Sequence, residues 1–155
     1  HVVYSQEIFS KIKDNFKELS SGEKYRLLED TWKSVTIGKF SINDFLEFLP
    51  LYKSETDPNI WSYIAGIISS LSKILPVEKG DSFLNYFNKL IGPIKENLGR
   101  EVRESDSMEV KELRAIVNKL IGSIENDADF ITVTNTDKFE FFGPAFRYSL
   151  DHVVH

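Results

Sequence analysis

Histidine is the side chain most often used for metal binding and proton transfer, and this chain has three: His1, His152 and His155. Hydrolysis at zinc requires two imidazoles on one helical face with a carboxylate between them, as in the pattern His-Glu-x-x-His. That pattern is absent. The i, i+3 spacing of His152 and His155 could hold a metal on a helix, but Asp151 is the only acid beside them. We therefore interpret both as surface residues and predict no metal site in this chain.

Other catalytic constellations are also missing. The chain has no cysteine, so a thiol nucleophile is excluded, and a Ser-His-Asp set would have to use one of the histidines near the chain ends. No Gly-x-Ser-x-Gly or glycine-rich phosphate loop occurs, since the glycines are isolated from one another. The sequence predicts no catalytic residue here, although a longer protein could still be an enzyme.

Carboxylates fall in two groups, around Glu29 and Asp30 and in the segment with Glu101, Glu104 and Asp106. The first turn of a helix favours acidic side chains because its backbone N–H groups carry partial positive charge. We therefore interpret these acids as helix caps and solvated faces.

Composition limits the class of protein. With 155 residues, 41% hydrophobic and 28% charged, the chain can form one compact domain, which we expect to span residues 1–155. The net charge of −5 argues against nucleic-acid binding, and no apolar run approaches the roughly 20 residues of a membrane span. The absence of cysteine favours a cytoplasmic protein. Because Met108 is the only methionine, we expect the chain to be a fragment of a larger protein.

Apolar residues recur at helical spacing along most of the chain, and polar caps separate the runs. The spacing predicts the face of each helix that turns inward. These residues are Ile8, Phe9, Ile12, Phe16 and Leu19 in the first helix, Ile60, Trp61, Ile64, Ile67, Ile68 and Leu71 in the fourth, and Val110, Leu113, Ile116, Leu120 and Ile121 in the sixth.

The ends of the helices are predicted from caps and stops. Predicted caps are Ser5, Ser20, Ser41 and Asp57, and predicted stops are Gly38 and Gly99. Pro50 should end or kink the third helix. A fifth helix should follow Pro76, and a sixth should end near Ile121. Short capped turns between helices favour antiparallel pairs stacked side by side, which is an all-α fold.

The carboxyl-terminal third is harder to interpret. Phe130-Ile131-Thr132-Val133-Thr134 favours a strand by residue type, whereas its neighbours are helical. We predict irregular structure or short helix from Asp127 to Phe142, and a last helix opening at Gly143.

Four pieces of the chain, in order, resemble the C-terminal helical domain of the M1 zinc aminopeptidases. Residues 2–9, Val2-Val3-Tyr4-Ser5 with Glu7-Ile8-Phe9, resemble the strand that closes the family's small β domain. Leu27-Leu28-Glu29-Asp30 and Gly38-Lys39-Phe40-Ser41 are similar to Leu-Leu-Asp-Asp and Gly-x-Leu-Ser.

The later pieces follow the same order. Residues 52–61 are similar to Tyr-Leu-x-x-Glu-Thr-Glu-Tyr-x-x-Trp, with Glu55 and Trp61 at the family's interval. Leu98-Gly99, Glu112-Leu113-Arg114 and residues 143–148 resemble Leu-Gly, Leu-Leu-Arg and Pro-x-x-Arg-x-x-Val-Tyr. The sequence departs from the family at Lys24-Tyr25-Arg26, at Pro50 and from Asp127 to Phe142.

The resemblance implies an all-α fold of stacked antiparallel helix pairs, which is a HEAT/ARM-like α-α superhelix. It also implies a non-catalytic domain of an enzyme that removes amino-terminal residues from peptides. Zinc and the catalytic residues would lie in an upstream domain, which would be this domain's partner. The resemblance also implies that this domain covers the active-site cavity and contacts the peptide substrate. Lys73 matches by spacing a lysine that some relatives place near the peptide's far end, and Arg114 and Arg147 are alternatives. For each of them, a surface or structural role is the competing interpretation.

A second hypothesis has no enzyme attached. The chain would then be a free-standing helical-repeat scaffold that binds a protein partner in its groove, and it would expose a large apolar patch. The sequence upstream of His1 discriminates between the two, because the peptidase requires His-Glu-x-x-His there.

Overall fold

The structure is a computed structural model, and it describes residues 6–74, 80–99 and 101–126. These residues form six α-helices and no strand, which confirms the all-α prediction for the part described. The helices are α1 (Gln6–Asn15), α2 (Ser21–Thr36), α3 (Ile42–Phe48), α4 (Pro58–Ile74), α5 (Gly80–Leu98) and α6 (Met108–Asn126). Single 3-10 turns follow α1 (Phe16–Glu18) and α3 (Leu49–Tyr52).

Serine and aspartate side chains begin the helices as predicted. Ser20 Oγ accepts from the Glu23 backbone N–H (3.2 Å), and Ser41 Oγ accepts from that of Asp44 (2.9 Å). Asp57 accepts from the Asn59 N–H (2.8 Å), directly before Pro58 opens α4. Each of these bonds satisfies an N–H that the first turn leaves without a helical partner.

Two glycines end helices in the left-handed conformation. Gly38 has φ of 75°, and its N–H donates to the Val35 carbonyl while the Lys39 N–H donates to that of Ser34, which is the Schellman arrangement. Gly99 has φ of 68° and donates to the Lys95 carbonyl at the end of α5. The predicted stops at both glycines are confirmed.

The chain divides into two compact units, and each has its own core. In the described residues 6–52, the core is aromatic: Tyr52 meets Phe16 edge-on (4.8 Å between ring centroids) and Phe48 likewise (5.5 Å). The Tyr52 hydroxyl donates to the Lys24 carbonyl in α2 (2.7 Å), so this buried ring ties the 3-10 turn after α3 to the start of α2.

In the second unit, described here over residues 53–126, the core is mainly aliphatic and includes the rings of Trp61, Phe83 and Phe87. Helix α6 packs against both α4 and α5. The predicted inward stripe of α4 is confirmed, since all six of its residues are buried: Ile60, Trp61, Ile64, Ile67, Ile68 and Leu71. Helix α5 continues through Pro93 to Leu98 without interruption.

Three expectations were wrong in detail. Of the α1 residues predicted to face inward, Phe9 is buried as predicted, but 44% of Ile8 is exposed. Helix α6 continues to Asn126 rather than ending near Ile121. Its buried face is also turned relative to the prediction and consists of Leu113, Arg114, Val117, Leu120 and Ile124.

Several predictions lie outside the described residues. They are the strand-like piece at residues 2–4, the Ser5 cap, the segment from Asp127 to Phe142, and the helix opening at Gly143. The expectation of a single domain over residues 1–155 stays a prediction.

Candidate functional site

Lys73 lies in the last turn of α4, and its side chain is exposed. A cation at this end of a helix interacts favourably with the carbonyl dipoles, so the position has a structural use of its own. The same exposure leaves the ammonium group accessible to a ligand. The structure therefore places Lys73 where either role is possible, and substrate binding by Lys73 stays a prediction.

Arg114 is buried, with 2% of the residue exposed, on the face of α6 that packs inward. Its Nη1 donates to Asp106 Oδ2 (2.6 Å), its Nη2 to the Leu98 carbonyl (2.6 Å) and its Nε to the Gly99 carbonyl (3.3 Å). Leu98 and Gly99 end α5, where carbonyls have no helical partner and carry partial negative charge. We name Arg114, Asp106 and these two carbonyls the arginine clasp.

The clasp also fixes the segment between α5 and α6. Asp106 Oδ2 accepts from the Arg103 backbone N–H as well (2.7 Å), so one carboxylate oxygen closes a turn and pairs with the guanidinium. Two contacts lower the pKa of the Asp106 carboxyl below its ordinary value. The hydrogen bond from the Arg103 N–H has the larger effect, and the Arg114 side chain has a smaller one. Desolvation of the carboxylate opposes this shift.

Sequence reasoning missed this role of Asp106, which was interpreted as a solvated acid. The role of Asp106 could have been predicted from Arg114, because this arginine lies beside Leu113 and Val117 on an apolar helix face. A cation there needs a buried anionic partner, and the acidic segment just before α6 supplies one. The described contacts of Arg114 hold the domain together, which is the structural role that competed with substrate binding in the sequence analysis. A role of Arg114 in substrate binding stays a prediction.

Trp61 secures the turn before α4. Its indole Nε1 donates to the Glu55 carbonyl (2.7 Å), and the ring is fully buried. The interval between Glu55 and Trp61, which carries much of the family resemblance, thus corresponds to a specific contact that holds the turn.

A groove runs between α4 and α6, with a cavity volume of about 360 Å³. Its lining consists of small and polar side chains over an apolar floor: Ser62, Ala65, Gly66, Ile68, Ser69 and Ser72 from α4, and Ile116, Lys119, Leu120 and Ser123 from α6. We name it the α4–α6 groove. Lys119 is the cationic residue among the described lining residues. It was not among the predicted site residues.

The predicted site residues do not share one surface, because Lys73 is exposed and Arg114 is buried. Arg147 lies outside the described residues, as do His152 and His155. Within the described ranges, no group of three or more His, Cys, Asp or Glu side chains could hold a metal ion. In those same ranges, no helix has both the length and the apolar character needed to cross a membrane.

The described residues therefore form an all-α domain with capped helices, in which the Glu55–Trp61 contact holds the turn before α4. Residues 1–136 match the model of a family described as the ERAP1-like C-terminal domain, and the chain belongs to this family. The resemblance inferred from the sequence is thereby confirmed.

One curated relative is "Aminopeptidase M1-D" from Oryza sativa subsp. japonica, which is 26% identical over 146 residues. The similarity covers 91% of this chain but 16% of the relative, so the chain spans about a sixth of that protein's length. No solved structure matches the chain significantly.

Proposed function

We propose that the chain is the non-catalytic C-terminal domain of a zinc aminopeptidase that removes amino-terminal residues from peptides. The observation that carries the proposal is the family match over residues 1–136, together with a relative named as an aminopeptidase. Zinc is proposed to be held by the upstream catalytic domain of the parent enzyme, as the family membership implies. In this proposal the protein is cytoplasmic, as the lack of cysteine favours.

Within the parent enzyme, the domain is proposed to cover the active-site cavity and to contact the peptide substrate. Its partners are then the upstream catalytic domain and the peptide. Lys73 supports this proposal by its exposure and its place at the end of α4. A charge-assisted bond from its ammonium group to a peptide acceptor contributes about 1.5–3 kcal/mol.

The proposed activity is tested with the full-length protein on peptides with free or blocked amino ends. We expect stepwise release of amino-terminal residues from the free peptides alone. Removal of zinc with a chelator should abolish release, and added zinc should restore it. Release that is indifferent to chelation, or the absence of release, would contradict the proposal. The scaffold hypothesis predicts the second result together with stable capture of a protein partner.

The role of Lys73 is tested with peptides of increasing length. In the full-length enzyme, Lys73→Ala should raise KM for long peptides about tenfold or more, because one charge-assisted bond is lost. Turnover of a single-residue reporter should not change. Lys89→Ala is the matched control, since Lys89 is exposed on α5 and does not lie at a helix end. Equal kinetics of the Lys73 and Lys89 variants at every length would show that Lys73 does not contact substrate.

A further inference from the structure

Met108 carries the single sulfur atom of the chain, which has no cysteine and no second methionine. Methionine is among the residue types most often buried in folded proteins. Met108 is instead 80% exposed, more than any other large apolar side chain in the residues that the structure describes. Its thioether is therefore accessible to small oxidants from the solvent.

Met108 is the first residue of α6, and the start of this helix is fixed by other groups. Ser107 Oγ accepts from the Val110 N–H (3.2 Å), and the Ser107 carbonyl accepts from the Lys111 N–H (3.0 Å). The arginine clasp holds the residues just before them. None of these contacts uses the Met108 side chain, so a chemical change at its sulfur breaks none of them.

The chemistry of an exposed thioether is oxygen transfer from a hydroperoxide. The sulfur attacks one peroxide oxygen, a sulfur–oxygen bond forms and the oxygen–oxygen bond breaks. The sulfur loses two electrons and becomes a sulfoxide, while hydrogen peroxide is reduced and leaves as water. Methionine sulfoxide reductases reverse the step, because their thiols are oxidised to a disulfide and the oxygen leaves as water.

The amino end of α6 suits a sulfoxide better than a core position does. The N–H groups of a first helical turn lack helical acceptors and carry partial positive charge. Helical side chains lean toward the amino end of their helix, so the sulfoxide oxygen of Met108 would lie near that charge. A buried methionine, in contrast, disrupts the core when it becomes polar.

We propose that Met108 is a site of reversible oxidation by hydroperoxides, where the surface at the start of α6 changes from apolar to polar while the fold is kept. The inference does not depend on the proposed function, because it uses only the exposure of the sulfur and its place on α6. It gives this part of the surface a sensitivity to peroxide that the core does not share.

The rate of oxidation is measured by mass spectrometry after hydrogen peroxide treatment of the full-length protein. Trypsin releases Met108 in the peptide 104–111, because Arg103 and Lys111 flank it. The same peptide, free in solution, gives the rate of a fully accessible sulfur. We expect the two rates to agree within about twofold, since susceptibility follows exposure.

Ile124→Met supplies a matched buried sulfur on the same helix, because Ile124 is 3% exposed and the exchange roughly conserves volume. The introduced methionine lies in the tryptic peptide 120–138, so both sulfurs are followed in one reaction. Met108 should react at least about tenfold faster in the folded protein. In urea the two rates should become equal.

Tolerance of the sulfoxide is measured by thermal melts of the unaltered protein and Met108→Leu, each with and without peroxide. Peroxide should lower the melting temperature of the unaltered protein by no more than it lowers that of Met108→Leu. The reductases, supplied with a thiol, should then remove the oxygen from peptide 104–111 of the folded protein.

Oxidation of Met108 about tenfold slower than in the free peptide, or no faster than at the methionine introduced by Ile124→Met, would overturn the proposal, because the sulfur would then be shielded. A larger fall in melting temperature for the unaltered protein than for Met108→Leu would also overturn it, and so would resistance to the reductases. None of these measurements uses release of amino-terminal residues, so the proposed function is tested separately.

Discussion

Arg114 donates from three nitrogens to three acceptors, and two of those acceptors are carbonyls at the end of a different helix. A surface ion pair of the usual kind contributes little to stability because water screens it. Here the guanidinium is buried, so removing it would leave Asp106 without its ion-pair partner and the Leu98 and Gly99 carbonyls without this donor. The clasp therefore couples the end of α5 to the start of α6.

We expect Arg114→Leu to lower the free energy of unfolding by about 3 kcal/mol, since breaking a buried pair leaves polar groups unsatisfied. Urea denaturation followed by circular dichroism measures the change. Lys111→Ala is the control, because Lys111 is exposed on α6 and lies outside the clasp. Equal stability of the Arg114 and Lys111 variants would show that the clasp is energetically neutral.

The same clasp predicts a pH dependence. Because the pKa of Asp106 is lower in the folded protein than in the unfolded chain, its stabilising effect is complete above the unfolded value of about 4 and is lost as the pH falls through the folded value. Asp106→Asn should therefore flatten the decline of the melting temperature below about pH 4. A decline as steep as that of the unaltered protein would place the acid sensitivity in other carboxylates.

At the scale of the helices, the ends that carry a serine cap or a glycine stop were predictable from the sequence. The Ser20 and Ser41 caps and the glycine stops follow from local backbone chemistry, which a single sequence contains. The buried face of α6 could not be predicted in the same way. The apolar pattern there favoured Ile116 and Ile121, but these are only partly buried, whereas Arg114 and Val117 are buried.

The reason is that the buried face of a helix depends on the elements packed against it as well as on the apolar pattern of its own sequence. Arg114 turns inward because Asp106 and the carbonyls of α5 meet it there, and these contacts are not local in sequence. The groove was missed for a related reason. Small residues on α4 carry no apolar periodicity, and the contribution of Lys119 arises only when α6 packs beside α4.

The helix ends allow a paired test. Gly38→Ala should destabilise the protein by about 1 kcal/mol or more, because alanine is strained at φ of 75°. Gly122→Ala should stabilise it by up to about 1 kcal/mol, since Gly122 lies within α6 and an added Cβ meets no atom within 4 Å. Thermal melts of both variants measure the difference. Changes of the same sign would contradict the assigned helix end at Gly38.

At the scale of the whole molecule, we expect residues 1–155 to fold when they are expressed alone. Each described unit has its own buried core, and the helices carry their own caps and stops. Circular dichroism should show a helical spectrum with a cooperative thermal transition. A weakly helical spectrum, or a melt without a transition, would mean that the core depends on the proposed upstream domain.

The chain has two tryptophans, and the structure places one in each unit: Trp32, which contacts Phe45, and Trp61, which is bonded to the Glu55 carbonyl. Each is therefore a built-in optical probe of its own surroundings. Trp61→Phe leaves emission from residues 6–52 alone, and Trp32→Phe leaves emission from residues 53–126 alone. Coincident emission shifts in denaturant would show that the two units unfold as one cooperative body, and separated shifts would give each unit its own midpoint.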